Sequence, residues 1–303
     1  MRRTRMLAGV SIAAAALLAL TACNSGTPSN PGGNGGDDDT GDGVPWTVAT
    51  DVSLDGSPTF DAMTERGKVI IGVKEDQPNL GYLDATTNER TGFDVDIARW
   101  IAASLGFDEG DIEFKAIASA NREQSIVNGD IDYYVGTYSI TDKRKEQIDF
   151  AGPYFITGQG ILVRADDDTI SSEADLNADT TVCSATGSTP IQNIRENYPD
   201  VPTVEFDLYS ACVEALINGD VDAVTTDQAI LIGYAALYSG EIKVVGEPFT
   251  EERYGVGLPK GDDALRAHIN DLFEDGGDVW QAIFDRNLGD SGTKVDQPEV
   301  DRY

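Results

Sequence analysis

Two segments of the chain repeat one pattern at an offset of 90 residues, and this repeat constrains the fold more than any other feature. Ser125–Thr137 reads SIVNGDIDYYVGT, and Ala215–Asp227 reads ALINGDVDAVTTD. In each segment a helix end meets Asn-Gly, a common helix stop, and a strand follows. The repeat predicts two lobes of similar build, each offering a strand end to a shared cleft. A chance match of a common stop signal is the alternative.

The apolar patterns elsewhere indicate strands that alternate with helices. Lys68–Val73 is a short β-branched apolar run, typical of a buried strand. Phe93–Leu105 places apolar residues at helical spacing, and Gly106 fits the helix stop. We therefore expect an α/β fold in which each lobe has a mainly parallel sheet flanked by helices.

The boundaries of the lobes follow from two extended, Gly-punctuated segments, Phe155–Ala165 and Lys243–Leu258. If the chain crosses between lobes twice, these segments are the crossings and hence the hinge. The predicted boundaries are 60–154 together with 249–290 for lobe 1, 155–248 for lobe 2, and 291–303 for a flexible polar tail.

The N-terminal residues are typical of an export signal. Arg2, Arg3 and Arg5 precede the apolar run Met6–Leu20, which is too short to span a membrane. Leu20-Thr21-Ala22-Cys23 follows and resembles the lipobox of bacterial lipoproteins, in which the cysteine receives lipid. We predict a signal peptide over 1–22, a lipidated Cys23, and a flexible Gly/Asp-rich tether over 23–59. An ordinary signal peptide with a chance cysteine is the alternative.

Charge limits the classes of partner. Lys and Arg number 22 against 53 Asp and Glu, for a net charge of −31. Such acidity disfavours nucleic acid and an anionic bilayer surface as direct partners. The chain also has no Walker motif and no apolar segment of spanning length beyond the signal. We expect an extracytoplasmic, lipid-anchored monomer on the outer face of the cell membrane, without cofactor or metal.

Three cysteines divide by position. Cys23 is assigned to lipid, which leaves Cys183 and Cys212 in an exported protein, where disulfides persist. We predict that these two pair; two buried free thiols are the alternative. Neither cysteine has the neighbours of a metal site.

One short segment concentrates donors suited to a carboxylate. Gly136–Phe155 reads GTYSITDKRKEQIDFAGPYF and brings Thr137, Ser139 and Arg144 together after an apolar run. A guanidinium and hydroxyl groups at a strand end can bind a carboxylate through charge-assisted hydrogen bonds. Arg144 as an ordinary charge on a helix surface is the alternative.

This segment resembles the signature of the family 3 extracellular solute-binding proteins, which bind amino acids for ABC importers. The resemblance covers about Gly67–Leu288 and implies a periplasmic-binding-protein-like type II fold. It also implies that Arg144, helped by Ser139 and by backbone groups around Thr137, clamps the α-carboxylate of the ligand.

The resemblance assigns further ligand contacts to lobe 2. Thr186, Gly187 and Ser188 follow a short strand and precede a helix, where backbone N–H groups and the helix dipole favour an anion. In the family this loop also holds the α-carboxylate. Asp227 corresponds to the residue that accepts the α-ammonium; an N-cap role in the next helix is the alternative.

Side-chain specificity is assigned to the remaining positions. The segment from Ala118 to Arg122 resembles that of the glutamate- and aspartate-binding members, which place basic residues at the positions of Lys74 and Arg122. These two cations would face a second carboxylate, beside Ser119, with Gln77 at the rim. Together with Arg144 they would give three cations against Asp227. A solvated surface position for Lys74 and Arg122 is the alternative.

The resemblance implies a receptor that closes over glutamate, or next aspartate, and presents it to an ABC permease. Alternatives are glutamine, asparagine or a broader amino-acid range, and a module that presents its ligand to a membrane sensor. An enzyme resembling cyclohexadienyl dehydratase is a further alternative, although the sequence offers no histidine and no paired carboxylates at the predicted cleft.

Overall fold

The computed structural model describes residues 43–293 and 295–303. The predicted signal peptide, Cys23 and the first part of the tether lie outside the described residues. Within the described ranges, none of the helices is long and apolar enough to cross a membrane.

Thirteen strands of the described residues build two five-stranded sheets and one small three-stranded sheet. They are β1 (Val69–Val73), β2 (Asp76–Gln77), β3 (Gly81–Leu83), β4 (Arg90–Thr91), β5 (Ile112–Ala116), β6 (Tyr133–Tyr134), β7 (Asp149–Thr157), β8 (Gln159–Arg164), β9 (Val182–Ala185), β10 (Thr203–Phe206), β11 (Ala223–Asp227), β12 (Ile242–Val245) and β13 (Glu252–Leu258).

The two large sheets repeat one topology. The first has the order β5-β1-β6-β13-β7 and the second the order β10-β9-β11-β8-β12. In each, three strands run parallel, and the other two pair antiparallel beside them. β6 and β11, the strands of the sequence repeat, hold the same place in their sheets. The prediction of two lobes with sheets flanked by helices is confirmed, but the sheets are mixed, because each has two parallel and two antiparallel pairings.

The described helices are α1 (Pro58–Arg66), α2 (Phe93–Ser104), α3 (Arg122–Val127), α4 (Asp142–Lys145), α5 (Thr189–Asn197), α6 (Tyr209–Asn218), α7 (Gln228–Leu237), α8 (Asp263–Asp275) and α9 (Gly277–Leu288). The helix predicted from Phe93 is α2, and its apolar stripe is buried. Trp280 of α9 packs edge-on against Phe93 and donates from Nε1 to the Tyr154 carbonyl at 2.8 Å. This contact joins the C-terminal helices to lobe 1.

The chain passes between the two sheets twice. β7 belongs to the first sheet until Thr157, and β8 joins the second sheet from Gln159. The return lies between Val245, where β12 ends, and Glu252, where β13 begins. The first crossing therefore comes slightly later than the predicted boundary at residue 155, because β7 stays paired with β13 up to Thr157.

The structure corrects the extent of the predicted tether. Residues 43–57 lie along lobe 1, where Trp46 and Leu54 pack against the core. Ser57 is fully buried, and its Oγ donates to Asp262 Oδ2 at 2.9 Å. The composition of this segment predicted a solvated linker. Trp46 and Leu54 instead bury apolar area against the core of lobe 1, and this burial favours the packed position.

The C-terminal residues also differ from the predicted flexible tail. The Asp301 N–H donates to the Gly152 carbonyl at 2.8 Å, and the Tyr303 hydroxyl accepts from the Phe150 N–H at 2.8 Å. The polarity of 291–303 predicted fraying, whereas its polar groups find partners on β7.

A disulfide joins Cys183 to Cys212, as predicted, with the two Cα atoms 5.5 Å apart. It links β9 to α6 inside the core of lobe 2, where both side chains are fully buried. The link fixes α6 against the strand that precedes the Thr186–Ser188 loop.

Reduction of this bond should destabilise lobe 2. The bond closes a loop with a sequence separation of 29 residues. The chain-entropy model gives about 3–4 kcal/mol for a loop of that size. Thermal or denaturant unfolding with and without reductant would measure this difference. The Cys183→Ala/Cys212→Ala variant is the control and should not respond to reductant. An equal response in both proteins would refute the assignment.

Candidate functional site

A small cavity between the two sheets brings together residues from both lobes. It is lined by Ser119, Arg122 and Thr137 of lobe 1 and by Ser188, Thr189, Pro190, Tyr209, Asp227 and Ile230 of lobe 2. Thr137 follows β6 and Asp227 ends β11, so the two repeat strands point their carboxyl ends at one space. Ligands bind at this edge of open α/β sheets.

Arg144 does not line this cavity itself; it lies on the one-turn helix α4, which Thr141 caps through its side chain, and it contacts Gly187 next to the cavity residue Ser188. Arg144 is 6 % exposed, so it is not the surface charge considered above. It donates to Glu123 Oε1 at 2.9 Å, to the Ser139 carbonyl at 2.7 Å and to the Gly187 carbonyl at 3.2 Å. These contacts use three of its five N–H groups and leave two for another acceptor.

The contact of Arg144 with Gly187 crosses from one lobe to the other. Gly187 has φ +76°, and a Cβ there would lie 2.7 Å from the Cα of Ala120 in lobe 1. Both the left-handed backbone and the close approach require glycine. The Ser139 and Thr189 hydroxyls, 3.3 Å apart, form a second bridge. The predicted clamp and the predicted loop therefore meet.

Lys74 and Arg122 are buried, with 3 % and 2 % exposure, so neither occupies the solvated position considered above. Lys74 Nζ donates to Ser119 Oγ at 2.8 Å. Arg122 donates to the carbonyls of Ser119 and Thr137 at 3.1 and 3.2 Å. In the described part of the chain, no carboxylate oxygen lies within 4.0 Å of either cation. Ser119 joins the two, although Lys74 itself lines a neighbouring cavity.

Tyr138 underlies the two arginines. The guanidinium carbons of Arg122 and Arg144 lie 4.3 and 4.9 Å from its ring centroid. The π face attracts both cations and holds them near each other without neutralising their charge. Burial and then the neighbouring Arg122 lower the pKa of Arg144.

Thr137 has an unusual backbone, with φ +45°, which is uncommon for a residue other than glycine. Its N–H donates to Asp94 Oδ2 at 2.9 Å, and its hydroxyl donates to Gln77 Oε1 at 3.1 Å. Tyr154 OH donates to the other oxygen of Asp94 at 2.8 Å. Burial raises the pKa of Asp94 to about 6, while these hydrogen bonds favour the carboxylate. Asp94 therefore holds the turn that carries Thr137.

Asp227 offers an acceptor to the cavity. Its Oδ2 accepts from the Tyr254 hydroxyl at 2.6 Å, whereas its Oδ1 is buried without a hydrogen-bond partner. Asp227 occupies the N-cap position of α7, but its side chain accepts no bond from that helix. The capping alternative is therefore excluded. Burial, and then the nearby Glu252 carboxylate, raise the pKa of Asp227. A cation in the cavity would satisfy Oδ1.

The predicted loop of lobe 2 contributes unequally. Ser188 caps α5 by accepting from the Ile191 N–H at 3.3 Å, which directs the start of the helix toward the cavity. Thr186 instead donates to the Phe206 carbonyl at 3.3 Å and does not line the cavity. The side chain of Thr186 is therefore turned away from the predicted ligand.

The sequence interpretation missed three carboxylates around this site, those of Asp94, Glu123 and Glu252. Glu123 neutralises Arg144, and Glu252 accepts from the Thr189 hydroxyl at 2.9 Å. The positive excess predicted from three cations and Asp227 alone is therefore too large. Asp94 had one available signal, because it directly follows Phe93 at the start of a buried helical stripe. Glu123 and Glu252 had none, since their partners are distant in sequence.

Metal chemistry finds no support in the described residues, among which no cluster of three or more His, Cys, Asp or Glu side chains could hold an ion. The donors around the cavity are instead hydroxyls, guanidinium groups and one lysine. Such a set suits an organic zwitterion with more than one anionic group.

The sequence matches the model of the bacterial extracellular solute-binding proteins, family 3, over residues 69–286. The chain belongs to this family. The family relation places the cavity between the lobes in a solute-binding protein and fits the strand-end location of its lining residues.

Three relatives illustrate the relation. The glutamate-binding protein GluB of Corynebacterium glutamicum is 42 % identical over 268 residues, covering 84 % of this chain and 89 % of that protein. The ABC transporter glutamine-binding protein GlnH of Bacillus subtilis is 40 % identical over 212 residues, covering 70 % and 77 %. An ancestral arginine-binding protein bound to arginine superposes with a TM-score of 0.67 at 32 % identity, covering 74 % and 99 %.

The burial of Lys74 predicts a pH-dependent stability of the unliganded protein. Burial, and then Arg122, lower the pKa of Lys74 from 10.5 to about 7. Between these values the unfolded chain binds more protons than the folded one, so stability rises with pH from about 7 toward 10. The slope should reach about 1.4 kcal/mol per pH unit. Unfolding curves between pH 6 and 9 would measure it.

Lys74→Met should flatten this rise, because the titrating ammonium is gone. Lys143→Met removes an exposed lysine and should keep the wild-type profile. If the profiles of wild type and Lys74→Met run parallel, Lys74 is not the group that titrates.

Proposed function

We propose that this chain is the solute-capturing component of an amino-acid importer and that its ligand is an acidic amino acid, glutamate before aspartate. The ligand would enter between the lobes and be enclosed as they close. Closure would remove water from the contacts and strengthen each electrostatic interaction.

The burial of Lys74 and Arg122 without a carboxylate partner carries this proposal. An isolated buried cation is costly unless it is paired, and one such group is rare. Lys74 and Arg122, which Ser119 joins, can both contact one anionic group. The protein itself does not supply that group. The side-chain carboxylate of glutamate would fill this role and favour the charged form of Lys74, whereas the amide of glutamine would leave the Arg122 charge uncompensated and the pKa of Lys74 low.

The α-carboxylate and the α-ammonium of the ligand would bind at the other end of the site. Arg144 retains two N–H groups for the α-carboxylate, beside the Ser139 hydroxyl and the start of α5. The unpartnered Oδ1 of Asp227 would accept from the α-ammonium. One zwitterion would thus satisfy groups contributed by both lobes.

The names of the relatives agree with an amino-acid ligand but divide over which one. The GluB proteins of two Corynebacterium species, 42 % and 40 % identical, are named for glutamate. The similarly close GlnH of Bacillus subtilis is named for glutamine. Glutamine is therefore the competing ligand, and the two buried cations favour glutamate.

Transport would require partners. The closed lobes would be recognised by an ABC permease, and lipid on Cys23 would hold the receptor at the outer face of the cell membrane. One acyl chain alone gives marginal anchoring, so two or more chains would be needed for stable attachment.

Arg144→Ala should abolish binding of every amino acid, because the α-carboxylate is common to all of them. Removing a charge-assisted bidentate contact should weaken binding at least 100-fold, on the order of 3 kcal/mol. Calorimetric titration would measure it. Lys143→Ala, on the same short helix but exposed, should bind as wild type. Retained binding of any amino acid by Arg144→Ala would remove Arg144 from the clamp.

A calorimetric panel of Glu, Asp, Gln, Asn, Arg and His tests the ligand class. We expect glutamate to bind most tightly. Lys74→Met and Arg122→Met should each weaken glutamate more than glutamine by about tenfold or more, the value of one charge-assisted contact.

Two outcomes would contradict the acidic ligand. In the first, wild type binds glutamine or arginine more tightly than glutamate. In the second, Lys74→Met and Arg122→Met weaken the affinities for glutamate and glutamine by equal factors. The two cations would then have a structural role only.

A further inference from the structure

We propose that Asp76 is a latch between the lobes that sets the affinity of the receptor for all its ligands without affecting its choice among them. Asp76 lies on β2 of lobe 1, and its partners lie on α6 and α7 of lobe 2. It does not line the cavity between the lobes, although it lines the neighbouring cavity together with Lys74.

The contacts of Asp76 cross the cleft. Its Oδ2 accepts from the Ser210 N–H at 3.1 Å and from the Tyr234 hydroxyl at 3.2 Å. The same hydroxyl donates to the Asp76 backbone carbonyl. Tyr234 is only 2 % exposed, so its hydroxyl is shielded from water and gains from this partner.

The N-terminus of α6 lacks a cap of its own. The N-cap residue is Leu208, whose side chain cannot accept a hydrogen bond. The Asp76 carboxylate takes this role from the other lobe, because it accepts from Ser210 in the first turn. A negative charge there is also stabilised by the helix dipole. When the lobes separate, this helix end loses its carboxylate partner.

The surfaces around the latch fit closely. A Cβ at Gly233 of α7 would lie 2.5 Å from the Pro78 carbonyl oxygen, so only glycine allows the segment after β2 to approach this helix. Asp76 therefore lies in a closely packed contact between the two lobes.

The position of the latch couples it to the ligand site. Asp76 stands between Lys74 and Gln77 in sequence, and its partner Ser210 follows Tyr209, which lines the cavity. Asp76 lies on β2 in the small three-stranded sheet, and its partners lie on helices of the opposite lobe. These bonds are therefore lost when the lobes separate.

The energetic consequence is uniform across ligands. If every ligand is held by the closed form, the apparent affinity scales with the fraction of closed protein. Losing the latch lowers that fraction by one factor, whatever side chain the ligand has. Lys74 and Arg122 would determine which amino acid binds best, and Asp76 would change the affinity for all of them by the same factor. The inference rests on the proposed function only in taking an amino acid as the ligand that closes the lobes.

Three variants test the latch from both sides. Asp76→Ala removes the acceptor, and Tyr234→Phe removes one donor. Ser210→Pro removes the other donor at a first-turn position that tolerates proline. We expect Asp76→Ala to weaken glutamate and glutamine by the same factor, about 10- to 100-fold, with faster dissociation. Asp76→Ala/Tyr234→Phe should lose more than Asp76→Ala but less than the sum of the two single losses, because the Tyr234 hydroxyl also donates to the Asp76 backbone carbonyl, which alanine keeps.

Matched controls separate the latch from general damage. Glu75→Gln removes the neighbouring charge, and Tyr238→Phe removes the hydroxyl of the residue that caps the C-terminus of α7; both should bind as wild type. Unfolding curves of the unliganded variants should match wild type. Small-angle scattering at one subsaturating ligand concentration should show a larger radius of gyration for Asp76→Ala than for wild type, and the difference should vanish at saturating ligand.

Two results would overturn the inference. One is an affinity within twofold of wild type for both Asp76→Ala and Tyr234→Phe. The other is a changed ratio of glutamate to glutamine affinity, which would make Asp76 a ligand contact. Failure of the proposed ligand class is distinguishable, because it would be seen in the wild-type panel. The latch can then be measured with whichever amino acid binds best.

Discussion

Lys74 and Arg122 lie buried in a chain of net charge −31, and among the described residues no carboxylate oxygen lies within 4.0 Å of either cation. Their neighbours are a hydroxyl, carbonyls and the face of Tyr138, which orient positive charge without cancelling it. Burying these cations costs desolvation free energy, and an anionic ligand that pairs with them can offset this cost. The charge of the whole surface matters little here, because exposed charges beyond about 8 Å are screened at physiological salt.

The other charged groups near the cavity have hydrogen-bonding or ionic partners. Arg144 has Glu123, and Asp94 accepts two hydrogen bonds while it holds the left-handed turn at Thr137. Asp227 alone keeps an unpartnered oxygen, Oδ1, among the carboxylates that face the cavity. The uncompensated groups are thus two cations at one end and one anion at the other. This separation matches the polarity of an acidic amino acid and underlies the proposed ligand.

Contacts between the lobes fall into two kinds. Arg144 with Gly187, and Tyr254 with Asp227, involve residues assigned to the ligand, so ligand and closure compete for or share the same groups. Asp76 with Ser210 and Tyr234 uses groups outside the cavity. A receptor built this way can adjust its affinity through the second kind while the first kind keeps its selectivity.

Local pattern determined the two-lobed α/β fold and the position of the strand ends, because these depend on periodicity, on helix stops and on the repeat carrying Thr137 and Asp227. The cysteine pairing followed from the export signal, because disulfides persist in exported proteins. Only the tertiary structure decided that Glu123 pairs with Arg144, that residues 43–57 pack on lobe 1, and that Asp76 caps α6 from the opposite lobe. These contacts join residues that are distant in sequence, or depend on which apolar surface a short segment meets. Neither a local propensity nor a charge count encodes that information.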